Sequence, residues 1–253
     1  MIGFKKKSAA GKGLGGRKFE WIDLHSHILP GIDDGANSLE ASIELVSELS
    51  KVGVTDAFVT PHYVDETVYT SMRSFNLELL DKVQSAVSQA GLNVQLHLGN
   101  EIYITPRVLD LIEAGVISTL GNSSYVLMEL PMSGEFPGYE DIFLLVLRSG
   151  YRVILAHPER YNTFQDDFSL IYDLRDMGVL FQSNIGSFAG QYGKTVYKTA
   201  VRLAKEGLIF GVGSDIHHVR PGLLSSGLLE LSKYYDDAGL DAILKENPRR
   251  ILE

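Results

Sequence analysis

The stretch "IDLHSHILPGIDDG", residues 22–35, places two histidines one residue apart at the end of an apolar run, and two adjacent aspartates soon after them. Successive side chains of a β-strand alternate between its two faces, so His25 and His27 point the same way. Two imidazoles on one face can bind a single cation, and nearby carboxylates supply further ligands. The stretch therefore predicts a strand that ends in a metal site.

Further apolar runs follow along the chain, separated by stretches with helical spacing. Together with the first run, they predict strands at 19–25, 56–60, 93–98, 125–130, 151–156, 180–183 and 209–213. Asn37 and Glu40 are suited to cap the helix after the first strand, and Gly53 is suited to end it. Seven strand-then-helix units indicate parallel strands joined by helical crossovers. The strands are almost continuously apolar, which predicts an α/β barrel or a doubly wound sheet. No G-x-G-x-x-G pattern follows the first strand, which weakens a dinucleotide-binding fold.

The composition restricts the function further. The 253 residues contain no cysteine, which excludes disulfides and a cysteine nucleophile and agrees with a cytoplasmic location. Residues 1–19 hold six basic residues and no acid, which predicts a flexible basic N-terminal extension, with contact to anionic lipid or an acidic partner as the alternative. Residues 20–253 are predicted to form one domain. Its charge of about −15 argues against nucleic-acid binding.

Polar side chains follow each predicted strand, and a histidine or carboxylate follows six of the seven. In order, these residues are His25, His27, Asp33 and Asp34; His62; Glu101; Glu129; His157, Glu159 and Arg160; Gln182 and Asn184; and Asp215, His217 and His218. The carboxyl ends of parallel barrel strands share one face, where active sites are built. Carboxylates that converge there repel one another unless a cation neutralises them. We expect Asp34 rather than the turn residue Asp33 to be a ligand, and we expect His97 and His218 not to be ligands.

The segments "IDLHSHILPGIDDG", "TPH", "GNEIYITP", "MELP", "AHPERY" and "GSDIH", in this order, resemble the PHP (polymerase and histidinol phosphatase) superfamily. Within it they are similar to the bacterial manganese-dependent protein-tyrosine phosphatases of capsule and exopolysaccharide operons (CpsB/CapC type). The similarity runs from Ile22 to the C-terminal "NPRRIL". The resemblance implies a distorted (β/α)7 TIM-like barrel, three divalent metal ions and action on phosphotyrosine in a partner tyrosine kinase associated with the membrane. Mn(II) is the implied metal, with Fe or Zn as alternatives, and a homo-oligomer is possible on family grounds alone.

The matched motifs also imply roles for individual residues. The first metal takes His25, His27, Glu101 and Asp215; the second takes Glu101, Glu129 and His157; the third takes Asp34, His62 and His217. Arg160 of "HPER" matches the phosphate-binding position, and Arg220 is a further phosphate ligand. With Asp215 they form the expected catalytic set.

The expected reaction is hydrolysis of a phosphomonoester by a hydroxide held between two metal ions. Two alternatives remain at this point: a small-molecule phosphatase of the histidinol-phosphate type, and a non-catalytic, metal-stabilised binding module. A metal-dependent exonuclease conflicts with the acidic body. Five aromatic residues in the loops after the strands suggest either a rim for a phosphotyrosyl peptide or ordinary loop packing: Tyr63, Tyr69, Phe136, Tyr139 and Phe188.

Overall fold

Parallel strands form the framework of the computed structural model, which describes residues 18–134 and 136–253. In chain order they are β1 (Trp21–Ser26), β2 (Val54–Val59), β3 (His62–Tyr63), β4 (Gln95–Leu98), β5 (Glu101–Tyr103), β6 (Tyr125–Glu129), β7 (Arg152–Ala156), β8 (Leu180–Asn184) and β9 (Ile209–Gly213). All seven predicted strands are confirmed, with shifts at their ends. The short strands β3 and β5 were not predicted. The predicted basic extension falls almost entirely on residues 1–17, outside the described residues.

The strands form two parallel sheets, with the orders β1-β2-β4 and β3-β5-β6-β7-β8-β9. Because β3 continues the path of β2 and β5 continues that of β4, the two sheets together provide seven strand positions. The first and last positions meet where Asp215 N donates to the His25 carbonyl at 2.8 Å and His27 N donates to that of Ile216 at 3.2 Å. This arrangement confirms the predicted distorted (β/α)7 barrel and brings the strand ends to one face.

Helices connect the strands: α1 (Leu39–Lys51), α2 (Arg73–Gln89), α3 (Val108–Glu113), α4 (Tyr139–Arg148), α5 (Asn162–Asp166), α6 (Ser169–Met177), α7 (Ile185–Phe188), α8 (Lys194–Lys205), α9 (Leu223–Leu231), α10 (Asp237–Asp241) and α11 (Asn247–Arg249). The predicted cap of α1 was one residue off, because the hydroxyl of Ser38, not the side chain of Asn37, accepts from Ala41 N. Gly53 follows the end of α1 with a positive φ of 88°, as predicted. Across the described ranges, no helix combines the length and the apolar run needed to cross a bilayer.

Two apolar cores hold the strands in place. The larger core fills the space between the strands and the helices. The smaller lies inside the ring of strands, where β1, β2, β6 and β7 contribute buried side chains and Ile251 joins them from the C-terminus. Ile22 and Leu24 of β1 belong to this inner core. The interior is therefore packed with apolar side chains beneath the polar strand ends.

An irregularity in β1 turns the paired histidines toward the interior. Leu24 already faces the inner core, so simple alternation sends His25 to the opposite face. Between β1 and β2, however, Asp23 pairs with Ala57 and Ser26 with Val59, so β1 has one extra residue. A bulge of this kind reverses the alternation. His25 and His27 consequently lie directly above the inner core.

Candidate metal centre

The paired histidines meet at their Nε2 atoms, which lie 3.0 Å apart, and both side chains are fully buried. His25 Nδ1 contacts Gln182 Oε1 at 3.1 Å, and His27 Nδ1 contacts Asp33 Oδ2 at 2.7 Å. Both oxygens are acceptors, so Nδ1 carries the proton in each neutral ring and Nε2 presents a lone pair. Such a partner behind each imidazole is the arrangement found for metal-binding histidines.

Glu101, on β5, bridges four histidines. Its Oε1 lies 2.8 Å from His157 Nε2, while its Oε2 lies 2.8 Å from His62 Nδ1 and 3.1 Å from His25 Nε2. His27 Nε2 is 3.5 Å from the same Oε2. Among the described residues, no hydrogen bond of good geometry reaches Oε2, although Glu101 is only 1 % exposed. A buried carboxylate oxygen ringed by ring nitrogens is well suited to share a cation with them.

Asp215 divides its two carboxylate oxygens between the histidines and the protein frame. Its Oδ1 lies 3.4 Å from His217 Nδ1 and 3.5 Å from His27 Nε2. Its Oδ2 accepts from Asn184 Nδ2 at 2.7 Å and from Arg160 Nη1 at 2.8 Å. One oxygen is therefore held firmly, while the other remains directed at the cluster.

A shallower group lies toward the solvent. Asp34 Oδ1 is 3.2 Å from His217 Nε2 and 3.4 Å from His62 Nε2, and the Asp34 side chain is 58 % exposed. Three sets of side chains have the spacing to hold an ion, namely His27, Asp34, His62 and His217; His25, His27 and Glu101; and His62, Glu101 and Glu129. These sets contain seven of the nine predicted metal ligands, and the other two lie beside them, His157 at 2.8 Å from Glu101 and Asp215 at 3.8 Å from His25. The groupings place His27 and His62 in two sets each, which differs from the expected division.

The charges in this cluster strongly perturb one another. Burial lowers the pKa of His25, but the carboxylates of Glu101 and Asp215 outweigh burial and raise that pKa to about 9. Burial and the charge of Glu101 together raise the pKa of Glu129 to about 8. Burial lowers the pKa of His157 to about 4. Opposed shifts of this kind among neighbouring groups are typical of a functional site.

Both predicted phosphate ligands line the same cavity, which has a volume of about 340 Å³. The Arg160 side chain reaches Asp215 and is 24 % exposed, so it can contact both the cluster and a ligand. Arg220 lies on the cavity lining and is exposed.

Two glycines allow close packing behind the paired histidines. A Cβ on Gly35 would lie 2.2 Å from the His27 carbonyl oxygen, and a Cβ on Gly213 would lie 2.6 Å from His25 Cβ. No real Cβ tolerates such distances without movement of its neighbours. The glycine of "DDG" and the last residue of β9 are therefore part of the support for the histidines.

Residues 21–253 match the family model described as capsular polysaccharide synthesis, CpsB/CapC. The chain belongs to this family. It is 31 % identical over 230 residues to the putative tyrosine-protein phosphatase CapC of Staphylococcus aureus, with 88 % of each chain covered. It is 32 % identical over 200 residues to the tyrosine-protein phosphatase YwqE of Bacillus subtilis, with 79 % of this chain and 78 % of the relative covered.

A solved structure from work on YwqE of Bacillus subtilis and CpsB of Streptococcus pneumoniae, described as metal-dependent tyrosine phosphatases, shares the fold of this CpsB/CapC protein. The TM-score is 0.80 at 29 % identity, with 91 % of this chain and 94 % of the other covered. The family that the sequence motifs predict is thereby confirmed.

The donor set of this CpsB/CapC protein fits divalent cations. Imidazole nitrogens and carboxylate oxygens suit Mn, Fe or Zn, and no thiolate is available. The lone pairs of His25 and His27 Nε2 meet Glu101 Oε2, which is the geometry a shared cation satisfies.

The two histidines of this CpsB/CapC protein that are not predicted to be ligands lie outside the three sets described above. His97 Nε2 pairs with Asp56 Oδ1 at 2.9 Å, away from the cluster, and His218 is exposed. Asp33 is more than a turn residue, because its carboxylate contacts His27 and accepts from Gly35 N.

For three of the five loop aromatics, the structure agrees with ordinary loop packing and not with a rim. Tyr63, Tyr139 and Phe188 are buried in the core, whereas the ring of Tyr69 lies 5.9 Å from that of His62. Tyr192, which the sequence analysis missed, lines the cavity and donates its hydroxyl to Asp215 Oδ2 at 3.1 Å. Its only sequence signal is its position in the loop after β8, where polar residues face the site.

Proposed function

We propose that this chain is a metal-dependent protein-tyrosine phosphatase. The observation that carries the proposal is the meeting of His25 and His27 Nε2 with Glu101 Oε2. The Arg160 guanidinium lies next to this cluster, where it donates to the Asp215 carboxylate. A cation-binding cluster beside an arginine is suited to a phosphate ester. The relatives named above as tyrosine-protein phosphatases support phosphotyrosine as the substrate.

We propose three divalent ions, with Mn(II) as the metal. The residues that would hold them are His25, His27, Glu101, Asp215, Glu129, His157, Asp34, His62 and His217. When bound, the ions supply Lewis acidity toward phosphoryl oxygens and lower the pKa of water. Zn binds such ligands more tightly than Mn, so occupancy by zinc after purification would not identify the native metal.

Arg160 is the proposed phosphate ligand within the chain. Its guanidinium offers five N–H donors, and contact with Asp215 leaves others free for two oxygens of a phosphate. Asp215 fixes the guanidinium near the cluster, so charge that develops on the phosphoryl oxygens meets a positioned cation. Arg220, exposed on the cavity lining, completes the phosphate contacts in this proposal.

The leaving group favours a tyrosyl ester. A phenol has a pKa near 10, so its departure needs far less protonation than that of a serine alkoxide. The sequence contains no cysteine, so a thiol nucleophile cannot form a phosphoenzyme. The proposed partner is a phosphotyrosine protein, in particular a membrane-associated bacterial tyrosine kinase that controls capsule or exopolysaccharide synthesis. The CpsB/CapC family description supports the capsule context.

The direct test uses protein that has been stripped by a chelator and reloaded with Mn(II). Phosphotyrosine peptide, phosphoserine peptide and histidinol phosphate are offered in parallel, and released phosphate is measured. We expect clear preference for the phosphotyrosine peptide. Preference for histidinol phosphate would replace the proposal by a small-molecule phosphatase, and absence of turnover on all three would favour the binding module.

A further inference from the structure

Tyr192 lines the cavity and contacts two groups of the proposed site. Its hydroxyl donates to Asp215 Oδ2 at 3.1 Å, and its ring lies against the Arg160 guanidinium, whose carbon is 4.4 Å from the ring centroid. A guanidinium at this distance from an aromatic face is within the range of cation–π attraction. One side chain therefore contacts both the carboxylate and the arginine.

The hydroxyl of Tyr192 is one of three donors to a single oxygen. Asp215 Oδ2 also accepts from Asn184 and Arg160, at shorter distances. Because Asn184 remains as a strong partner, loss of the Tyr192 hydroxyl leaves Oδ2 well satisfied. The Arg160 guanidinium is held by the Asp215 carboxylate and by the Tyr192 ring, and only the ring contact is lost when the ring is removed.

The segment that carries Tyr192 is anchored from below. The buried carboxylate of Glu159 accepts from Asn184 N at 2.8 Å and from the Ser187 hydroxyl at 2.7 Å, which fixes the start of α7. Beyond α7 the chain turns back tightly, because a Cβ on Gly186 would lie 2.0 Å from Gln191 Oε1. The backbone that leads to Tyr192 is thus anchored by contacts that do not involve the Arg160 side chain.

We propose that Tyr192 is a positioning residue, whose ring holds the Arg160 guanidinium in the orientation that accepts the phosphate group. The inference rests on the proposed function, because it takes Arg160 as the phosphate ligand. An arginine side chain loses much rotational freedom when it is fixed in one geometry. The fixed ring of Tyr192 restricts that freedom before the ligand arrives, which lowers the cost of binding.

The test measures binding of inorganic phosphate to the Mn-loaded protein by calorimetry, and KM and kcat with a phosphotyrosine peptide. We expect Tyr192→Leu to weaken phosphate binding and raise KM by roughly tenfold, which corresponds to about 1.4 kcal/mol. We expect the Mn content to change by less than about twofold, because the metal ligands keep their partners, whereas kcat should fall as well, because a mobile Arg160 stabilises transition-state charge less than a positioned one. Tyr192→Phe, which keeps the ring, should recover most of the lost phosphate affinity.

Tyr172→Leu is the matched control, since Arg175 lies 5.3 Å from the Tyr172 ring on the surface and neither residue lines the cavity. It should leave phosphate binding unchanged. Wild-type affinity in Tyr192→Leu, or an equal loss in Tyr192→Phe, overturns the inference, and so does wild-type protein that binds no phosphate. Wild-type protein that binds phosphate without turnover contradicts the proposed phosphatase instead, and the phosphate measurements still decide the role of Tyr192.

Discussion

The Nε2 atoms of His25 and His27 lie 3.0 Å apart, although the other nitrogen of each ring already has an oxygen partner. Two buried lone pairs at this separation repel unless something positive lies between them. The Glu101 carboxylate adds negative charge at the same point. A cation bound at this point therefore interacts favourably with both nitrogens and with the carboxylate.

Metal removal should consequently destabilise the protein. A cation at 100 times its dissociation constant stabilises the folded state by about 2.7 kcal/mol. For a domain of this size we expect the melting temperature to fall by roughly 5–10 °C after chelation and to return when Mn(II) is added. Thermal unfolding followed by circular dichroism measures this change. His27→Ala should lose most of the response, whereas the control His97→Ala, outside the cluster, should keep it. A melting temperature that is indifferent to chelation would contradict cation binding at this cluster.

Asp33 should control metal affinity through His27. Its carboxylate contacts His27 Nδ1 at 2.7 Å, which fixes the ring and increases the basicity of Nε2. We expect Asp33→Asn to weaken Mn(II) binding about 10- to 100-fold, as is typical when the partner of a metal-binding histidine is lost. Titration with a competing chelator measures the affinity. Asp65→Asn, which removes a surface ion pair with Arg107, is the control and should bind Mn(II) like the wild type. Equal Mn(II) affinities in the two variants would mean that Asp33 stabilises only the turn and does not act on metal binding through His27.

The carboxyl ends of the strands were predictable because parallel strands bring them to one face whatever the loops do. The apolar runs that precede His157 and Asp215 were sufficient to predict that these residues lie at the ends of β7 and β9. The bulge in β1 was not predictable, since a one-residue slip leaves no mark in the hydrophobic pattern. The strands that carry His62 and Glu101 were missed because two or three residues are too few to show a period.

Contacts between loops also could not be predicted from the sequence. Tyr192 reaches Arg160 only because α7 is fixed on Glu159, a contact between segments more than 20 residues apart. The "QSN" segment indicated part of this arrangement, namely that two polar side chains of one strand face the site. Gln182 and Asn184 are two apart on β8, and both face the cluster, where Gln182 contacts His25 and Asn184 contacts Asp215.

The two arginines of the cavity should differ in their effect on catalysis. Arg160 is partly buried and held by Asp215 and Tyr192, whereas Arg220 is exposed. A positioned donor stabilises transition-state charge better than a mobile one, so Arg160→Ala should lower kcat/KM about 100- to 1,000-fold. Arg220→Ala should cost less than about tenfold, because its side chain must be ordered on binding. Steady-state kinetics with phosphotyrosine peptide measure both. A larger loss of kcat/KM in Arg220→Ala than in Arg160→Ala would make Arg220 the main phosphate ligand.

The glycines of β9 offer a test of how the backbone supports the site. A Cβ on Gly213 would meet His25 Cβ and Gln182 Nε2, each at 2.6 Å, so Gly213→Ala must displace the first histidine or its partner. Gly211, two residues earlier on the same strand, faces Leu24 instead, where an added Cβ meets a methyl carbon at 2.5 Å. Overpacking of this kind costs about 1–3 kcal/mol, so both variants should lower the free energy of unfolding measured in denaturant.

Metal affinity separates the two variants. Displacement of His25 moves Nε2 away from Glu101 and His27, so Gly213→Ala should weaken Mn(II) binding by at least about tenfold, in line with the loss of a positioned ligand. Gly211→Ala displaces only the end of an apolar side chain in the inner core, and its Mn(II) affinity should stay close to the wild type. Equal Mn(II) affinities for the two variants at equal loss of stability would mean that the histidine pair is held by its loop partners alone, without the support of β9.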